Sequence, residues 1–351
     1  MHNGSSRLAM LLIVAGCLIS LIGGVLAWRW RDVSHLPARI VTRWVPPSAE
    51  ERRPLNRRER EALQKLQPQL DAQIVWSSRR SDNHDLYLVD VAEGQLRRLT
   101  DHPHVDFGSR FSPDGEWIVF TRSQREWVSF RDKKLWDVLL IRPDGSDERL
   151  LVRHGYHPTW GPGGSSVIFQ RDTQVIQIEL KDGNERVLFD STERFSGGRW
   201  GEPELHPTGR LLALAPTGFG AIVMAPGSSD FTRLTEHHVC QTTWVPGAEE
   251  LLWVEPKGNG GTRIARGSAD GSAATVFMDL PGDRSHEYFP VLSDDGKWMV
   301  WGATDEGHEH DRADYEIFLW KVGSPWKEAV RITYHRGNDQ WPDIHLAAPE
   351  R

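Results

Sequence analysis

FSPDGEWIVF, residues 111–120, reads as the end of one apolar strand, a Ser-Pro-Asp-Gly turn and the start of a second apolar strand. The same order returns as WGPGGSSVIF (160–169), LHPTGRLLAL (205–214), WVPGAEELLW (244–253) and LSDDGKWMVW (292–301). Gly supplies the positive φ of a tight hairpin and Asp the local hydrogen bonds, so each copy predicts a β-hairpin and gives its aspartates a structural role. A third strand follows, such as LYLVDV, VLLIRPDG, VIQIELKDG or IFLWKVG, and then a fourth ending in RRLT, RLLV, TRLT or RIT. A repeat of about 40 to 50 residues with four strands per copy is the mark of a β-propeller, in which no blade buries its faces alone.

The anchors Phe111, Trp160, Leu205, Trp244 and Leu292 are followed by a sixth, Trp341 in WPDIHL. Six anchors predict six blades, each with strands A to D from the axis outward. Residues 74–100 supply strands B, C and D with no A strand before them, and residues 341–346 supply an A strand with nothing after it. The C-terminus is therefore expected to complete the first blade, which removes free sheet edges. Truncation after Gln340 is expected to destabilise the whole ring. Trp76, Phe120, Phe169, Trp253 and Trp301 fall at one end of strand B, where flat side chains fill the wedge between blades. The fold class is all-β: a six-bladed propeller of four-stranded blades over residues 71–346, with a C-terminal tail at 347–351.

These repeats resemble the PD40, or TolB-like, relative of the WD40 repeat, with its Ser-Pro-Asp-Gly turn and terminal Leu-Thr. The resemblance runs from about Ile74 to Leu346 and implies the fold. Relatives include a periplasmic accessory protein of the Tol system, peptidase propellers and pectin-degrading lyases, so it implies no single activity. Residues 29–70 are too short and charged for the N-terminal α/β domain of TolB itself. No Gly-x-Ser-x-Gly string occurs, which argues against peptidase activity in this chain.

Residues 8–28 form an uncharged, mostly apolar run, long enough to cross a hydrocarbon core of roughly 30 Å as a transmembrane helix. A tail of residues 1–7 precedes it. Three other readings stand beside the anchor: a signal cleaved after Ala27, a lipoprotein site at Cys17 and a buried helix. Arg29, Arg31, Arg39 and Arg43 follow the run, which by itself favours a cytoplasmic propeller. The resemblance implies export, and the expectation adopted is a single-pass protein of the bacterial inner membrane with its propeller in the periplasm. Cys17 and Cys240 offer no plausible intramolecular disulfide. Residues 29–70, with ERRPLNRREREALQKLQ at 51–67, predict a charged linker holding a short helix, read as a solvated tether.

The chain has 42 basic and 49 acidic residues, a net charge of −7, which opposes generic nucleic-acid binding. Chemistry concentrates in the histidines. Topology assigns His102, His104, His154, His157, His237, His238, His286 and His335 to D-to-A connections, and His84, His308 and His310 to B-to-C loops. Both sets emerge on one face. Asp106, Glu202, Glu204, Glu287 and Asp339 reach the same rim, predicting a cup of imidazoles and carboxylates. Within DEGHEHDRAD (305–314), His308, His310 and Asp311 are the candidate ligands of a divalent metal, since His-x-His on an extended segment points both rings one way. The alternative is a solvated hairpin tip. Pectin-degrading lyases similar in repeat hold Mn²⁺ over the channel, but their ligands do not map onto positions here.

A second candidate is the B-to-C excursion of the second blade, SQREWVSFRDKKLW (123–136). Trp127, Phe130 and Trp136 alternate there with Arg125, Arg131, Lys133 and Lys134, a pattern suited to an anionic sugar or a protein partner. The competing reading packs these aromatics on the adjacent blade. Two function classes follow. One is a membrane-tethered platform binding a protein or envelope ligand through Trp127, Phe130, Arg131, Trp136, His104, His157, His237, His286, His335 and Asp339. The other is a metal-dependent lyase or hydrolase on acidic carbohydrate using the same face, with His335 or His104 moving the proton.

Overall fold

The computed structural model describes residues 55–192, 195, 202–307 and 309–347. Among them the strands form six four-stranded antiparallel sheets, each a propeller blade. Blade 1 is assembled from both ends of the repeat region: its A strand is Asp339–Leu346, and its B, C and D strands are Ala72–Ser78, Asp85–Asp90 and Gln95–Arg98. The seam is antiparallel, pairing Ala72 with Leu346 and Ser78 with Asp339. The remaining A strands are Asp106–Phe111, Tyr156–Trp160, Glu204–Leu205, Cys240–Trp244 and His286–Leu292. The fold class and the closure are those expected from the repeat.

The turns behave as their chemistry requires. Gly115 and Gly296 take φ of 71° and 68°, and the preceding Asp accepts from a Ser hydroxyl and from the backbone N–H that follows the glycine. Trp76, Phe120, Phe169, Trp253 and Trp301 are all buried between blades.

The sixth anchor requires correction. In five A strands one residue with positive φ interrupts the pairing: Gly108, His157, Gln241, Phe289 and Trp341. In the other four of these strands the anchor lies three residues later, so the equivalent in blade 1 is Ile344, not Trp341. Trp341 is the bulge residue. Its strand runs into no A-to-B turn, because strand B comes from the other end of the chain, and the landmark that sets the register elsewhere is missing.

The charged segment before the ring is also more than a tether. Helix α1, Arg57–Leu66, is closed by a capping box in which Asn56 Oδ1 accepts from Glu59 N–H and Glu59 accepts from Asn56 N–H. Its buried positions, Glu59, Ala62, Leu63 and Leu66, repeat at the helical period. Leu63, Leu66 and Leu70 pack with Ile74, Val89, Trp298, Ile317 and Ile332, so α1 covers the wedge between blades 6 and 1. The predicted span at 8–28 lies outside the described residues, among which no helix is long and apolar enough to cross a membrane.

Candidate functional site

The bulges decide what the central channel contains. Trp341 of blade 1 lies 5.6 Å from the ring of His157 of blade 3 and 4.1 Å from that of Phe289 of blade 6. Blades 1 and 3 are not neighbours, so the first contact spans the axis. Phe289 N–H donates to Gln241 Oε1 at 2.7 Å, drawing blade 5 into the same plug. Positive φ at Phe, Trp and His is disfavoured, by about 1 to 3 kcal/mol per residue. Here the strain turns large side chains inward at one level of the ring.

Ionisable groups lie beside this plug. Arg110 of blade 2 reaches Glu202 of blade 4 at 3.3 Å, again across the axis, and His157 Nδ1 is 4.0 Å from the same carboxyl. Burial pushes Glu202 up to about 8 and Glu204 up to about 7, in each case against the pull of Arg110. Burial, with Lys133 and Arg110, drives His157 well below its usual range. A proton-bearing carboxyl thus stands near a neutral imidazole. The space among Gly108, Arg110, His157, Glu202, Glu204 and Trp341 is only about 10 Å³, room for one water at most.

The second-blade excursion closes the mouth. Phe130 packs 4.7 Å from Trp341, 5.1 Å from His157 and 5.5 Å from Tyr156. Asp311, from the B-to-C loop of blade 6, accepts from Ser129 Oγ at 2.7 Å and Phe130 N–H at 3.0 Å, and it pairs with Arg131 at 3.3 Å. Two loops from blades 2 and 6 are thus latched over the axis. Trp136 is fully buried and its indole N–H donates to the Asp132 carbonyl within the excursion. Trp127 differs from both, with 53 % of its surface exposed.

The predicted rim is mostly interior. His157, His335 and Asp339 are buried, and His335 Nε2 pairs with Asp339 at 2.7 Å beneath the seam. His237, half-buried, pairs with Glu255 at 3.2 Å, and His286 is half-buried beside the glycine loop at Gly261. His104 is half-buried and bonds the Ser123 carbonyl. Of the nominated metal ligands, His308 lies outside the described residues. His310 is buried, its Nδ1 3.2 Å from Tyr315 Oη, and Asp311 serves the latch. Among the described residues no three His, Cys, Asp or Glu side chains gather as a metal would require. Arg110, Gln241 and Phe289 were missed by sequence reasoning. Their common signal is location one to three residues before an anchor, a short interval in which residue types differ from blade to blade.

No family model matches the chain. An uncharacterized protein of Agrobacterium fabrum is 29 % identical over 152 residues, 38 % of this chain and 47 % of that protein, so the match spans about half of its length. Among solved structures, TolB from Acinetobacter baumannii matches with a TM-score of 0.57 at 14 % identity, covering 78 % of this chain and 66 % of TolB. A TolB-type protein of Agrobacterium tumefaciens matches at 0.56 and 13 % identity, covering 80 % and 99 %. A chain of a nidogen/laminin complex matches at 0.55 and 11 % identity, covering 80 % and 100 %. At these identities the likeness shows a shared fold, the TolB-like six-bladed propeller.

Proposed function

We propose that this protein is a recognition platform, anchored to the inner membrane by residues 8–28, whose propeller binds a protein partner in the periplasm. The observation that carries this reading is Trp127. An indole more than half exposed is held on a loop whose neighbours Phe130 and Ser129 are fixed by the channel plug and by Asp311. Holding an aromatic out on a rigid support lowers the ordering cost of binding, and Trp is enriched where interface energy concentrates. Arg125 and Lys134 are exposed on the same excursion, as are Glu126 and Asp132, so the loop offers both signs of charge for polar contacts around the indole. One similar structure being a nidogen/laminin complex fits a propeller used in protein recognition.

An axial active site is disfavoured by the plug, which leaves no room for a sugar. A metal-dependent lyase or hydrolase centred on His310 and Asp311 would require both to leave their present partners.

The test is site-specific photo-cross-linking in the native host, with a photoreactive phenylalanine in place of Trp127 and, as control, in place of Asp182 at a hairpin tip on blade 3. A discrete protein adduct from position 127 alone is expected. Identical patterns from both positions, or none, would remove the platform reading.

A further inference from the structure

Blade 2 carries an open cleft of about 440 Å³ that the plugged channel does not use, walled by His102, His104, Gln124, Asp137, Arg153 and His154. Local hydrogen bonds fix the state of its imidazoles. His104 N–H donates to His102 Nδ1 at 3.0 Å, and the Gln124 amide donates to His154 Nδ1 at 3.1 Å. The same amide donates to Asp137 Oδ1 at 2.7 Å, which confirms its orientation. A ring nitrogen that accepts carries no hydrogen, so Nε2 is the N–H donor of both His102 and His154. His104 Nδ1 lies 2.7 Å from the Ser123 carbonyl and must donate to it.

Charge in the cleft is nearly balanced. Arg122, in its wall, is held by Asp106 and Glu148 at 2.7 and 2.6 Å. Asp137 already accepts from Gln124 and from His154 N–H at 2.9 Å. Arg153 is 71 % exposed and makes a long ion pair with Asp137 at 3.7 Å, so most of its N–H donors still face solvent and can fork onto a ligand. Two imidazole N–H groups and one guanidinium match a single carboxylate, which guanidinium binds in a planar fork. A phosphate dianion would face Asp137 and Glu148 with only one available cation. Gln124 lies in the excursion that carries Trp127, three residues before the indole, which links the cleft to the recognition loop along the chain.

We propose that this cleft seats an Asp or Glu side chain of the partner that the Trp127 loop recognises, an assignment that rests on the platform reading above. The full chain, with its histidine Cε1–Hε1 NMR signals assigned, is titrated with N-acetylglutamate amide and with N-acetylglutamine amide. Saturable shifts of the His102, His104 and His154 signals are expected with the acid, and binding about tenfold weaker with the amide, since a charged acceptor adds about 1.4 kcal/mol. Arg153→Gln removes the exposed cation, and His154→Asn withdraws the imidazole Nε2–H, whose position the shorter amide does not reach, while tolerating the φ of 56° there. Both are expected to abolish the shifts, and Asp182→Asn, at the exposed hairpin tip of blade 3, to leave them intact. No saturable shift, an equal response to both probes, or unchanged binding in both variants would overturn the pocket. A Trp127 cross-link without glutamate shifts overturns the pocket and leaves the platform standing. Glutamate shifts without a cross-link overturn the partner as their source.

Discussion

Two aromatic residues three positions apart, Trp127 and Phe130, take opposite roles. Phe130 wedges among Tyr156, His157 and Trp341, while Trp127 faces solvent. Phe130→Ala would open a cavity under the latch and is expected to cost about 3 kcal/mol in urea denaturation. Trp127→Ala is expected to change stability by no more than about 0.5 kcal/mol, as surface substitutions do. Equal losses from both would mean that Trp127 packs rather than binds. The sequence marked both as aromatics in a basic excursion, but nothing local separated them. The difference arises from Asp311, 181 residues from Phe130, which fixes that backbone over the channel and leaves Trp127 outside. The buried histidines were illegible for a related reason: connection type predicts the face on which a residue emerges, and not whether another blade's loop covers it.

At the scale of elements, the hairpins could be read from their turns because a Pro-Asp-Gly tetrad specifies its own geometry. Helix α1 was half-readable. Asn56 and Glu59 form the capping-box pattern that announces a helix start, yet the density of Arg and Glu made the segment read as solvated. The structure buries one of those charges. Glu59 and Arg80 are 1 % and 2 % exposed and pair at 2.6 Å, and Glu59 also accepts from Tyr334 N–H at 3.2 Å. A sequence cannot show that a helical Glu meets an Arg of blade 1. Glu59→Ala is expected to destabilise the protein by about 3 to 5 kcal/mol, because it removes the carboxylate that pairs with the buried Arg80 guanidinium. The partner substitution Glu59→Ala/Arg80→Leu should recover much of that loss in the same denaturation assay. An additive double mutant would show that α1 does not hold the ring through this pair. The strand register of the seam was the other misreading, since the Trp-Pro-Asp of residues 341–343 imitates an anchor where the bulge displaces it.

The whole ring couples these local terms to pH, because its interior holds carboxyls in their protonated form. Burial raises Glu202, Glu287 and Glu316 to about 8 and Glu204 to about 7, from an ordinary 4.5. Between about pH 4.5 and 8 the folded protein therefore keeps protons that the unfolded chain has released. Stability must fall with rising pH across that window. His335 acts in the same direction: burial opposes its charge, but Asp339 at 2.7 Å outweighs burial and lifts it to about 9. Its contribution is complete below the unfolded value near 6.5 and is lost as pH rises through 9. Asp339 sets the acid limit, since burial resists its charge but His335 and Arg80 hold it at about 2, so its contribution disappears only as pH falls through that value. The groups sit in blades 1, 4 and 6, and a closed ring unfolds as one unit when its seam opens. One cooperative transition is thus expected, with a melting temperature higher at pH 5.5 than at pH 8.5 and a proton release on unfolding at pH 7 measurable in buffers of different ionisation enthalpy. Glu316→Gln, which keeps the shape of the protonated carboxyl, should flatten the pH dependence of melting. A melting temperature that rises from pH 5.5 to 8.5 would show that these carboxyls are ionised in the folded ring and that charge, rather than neutral hydrogen bonding, organises its interior.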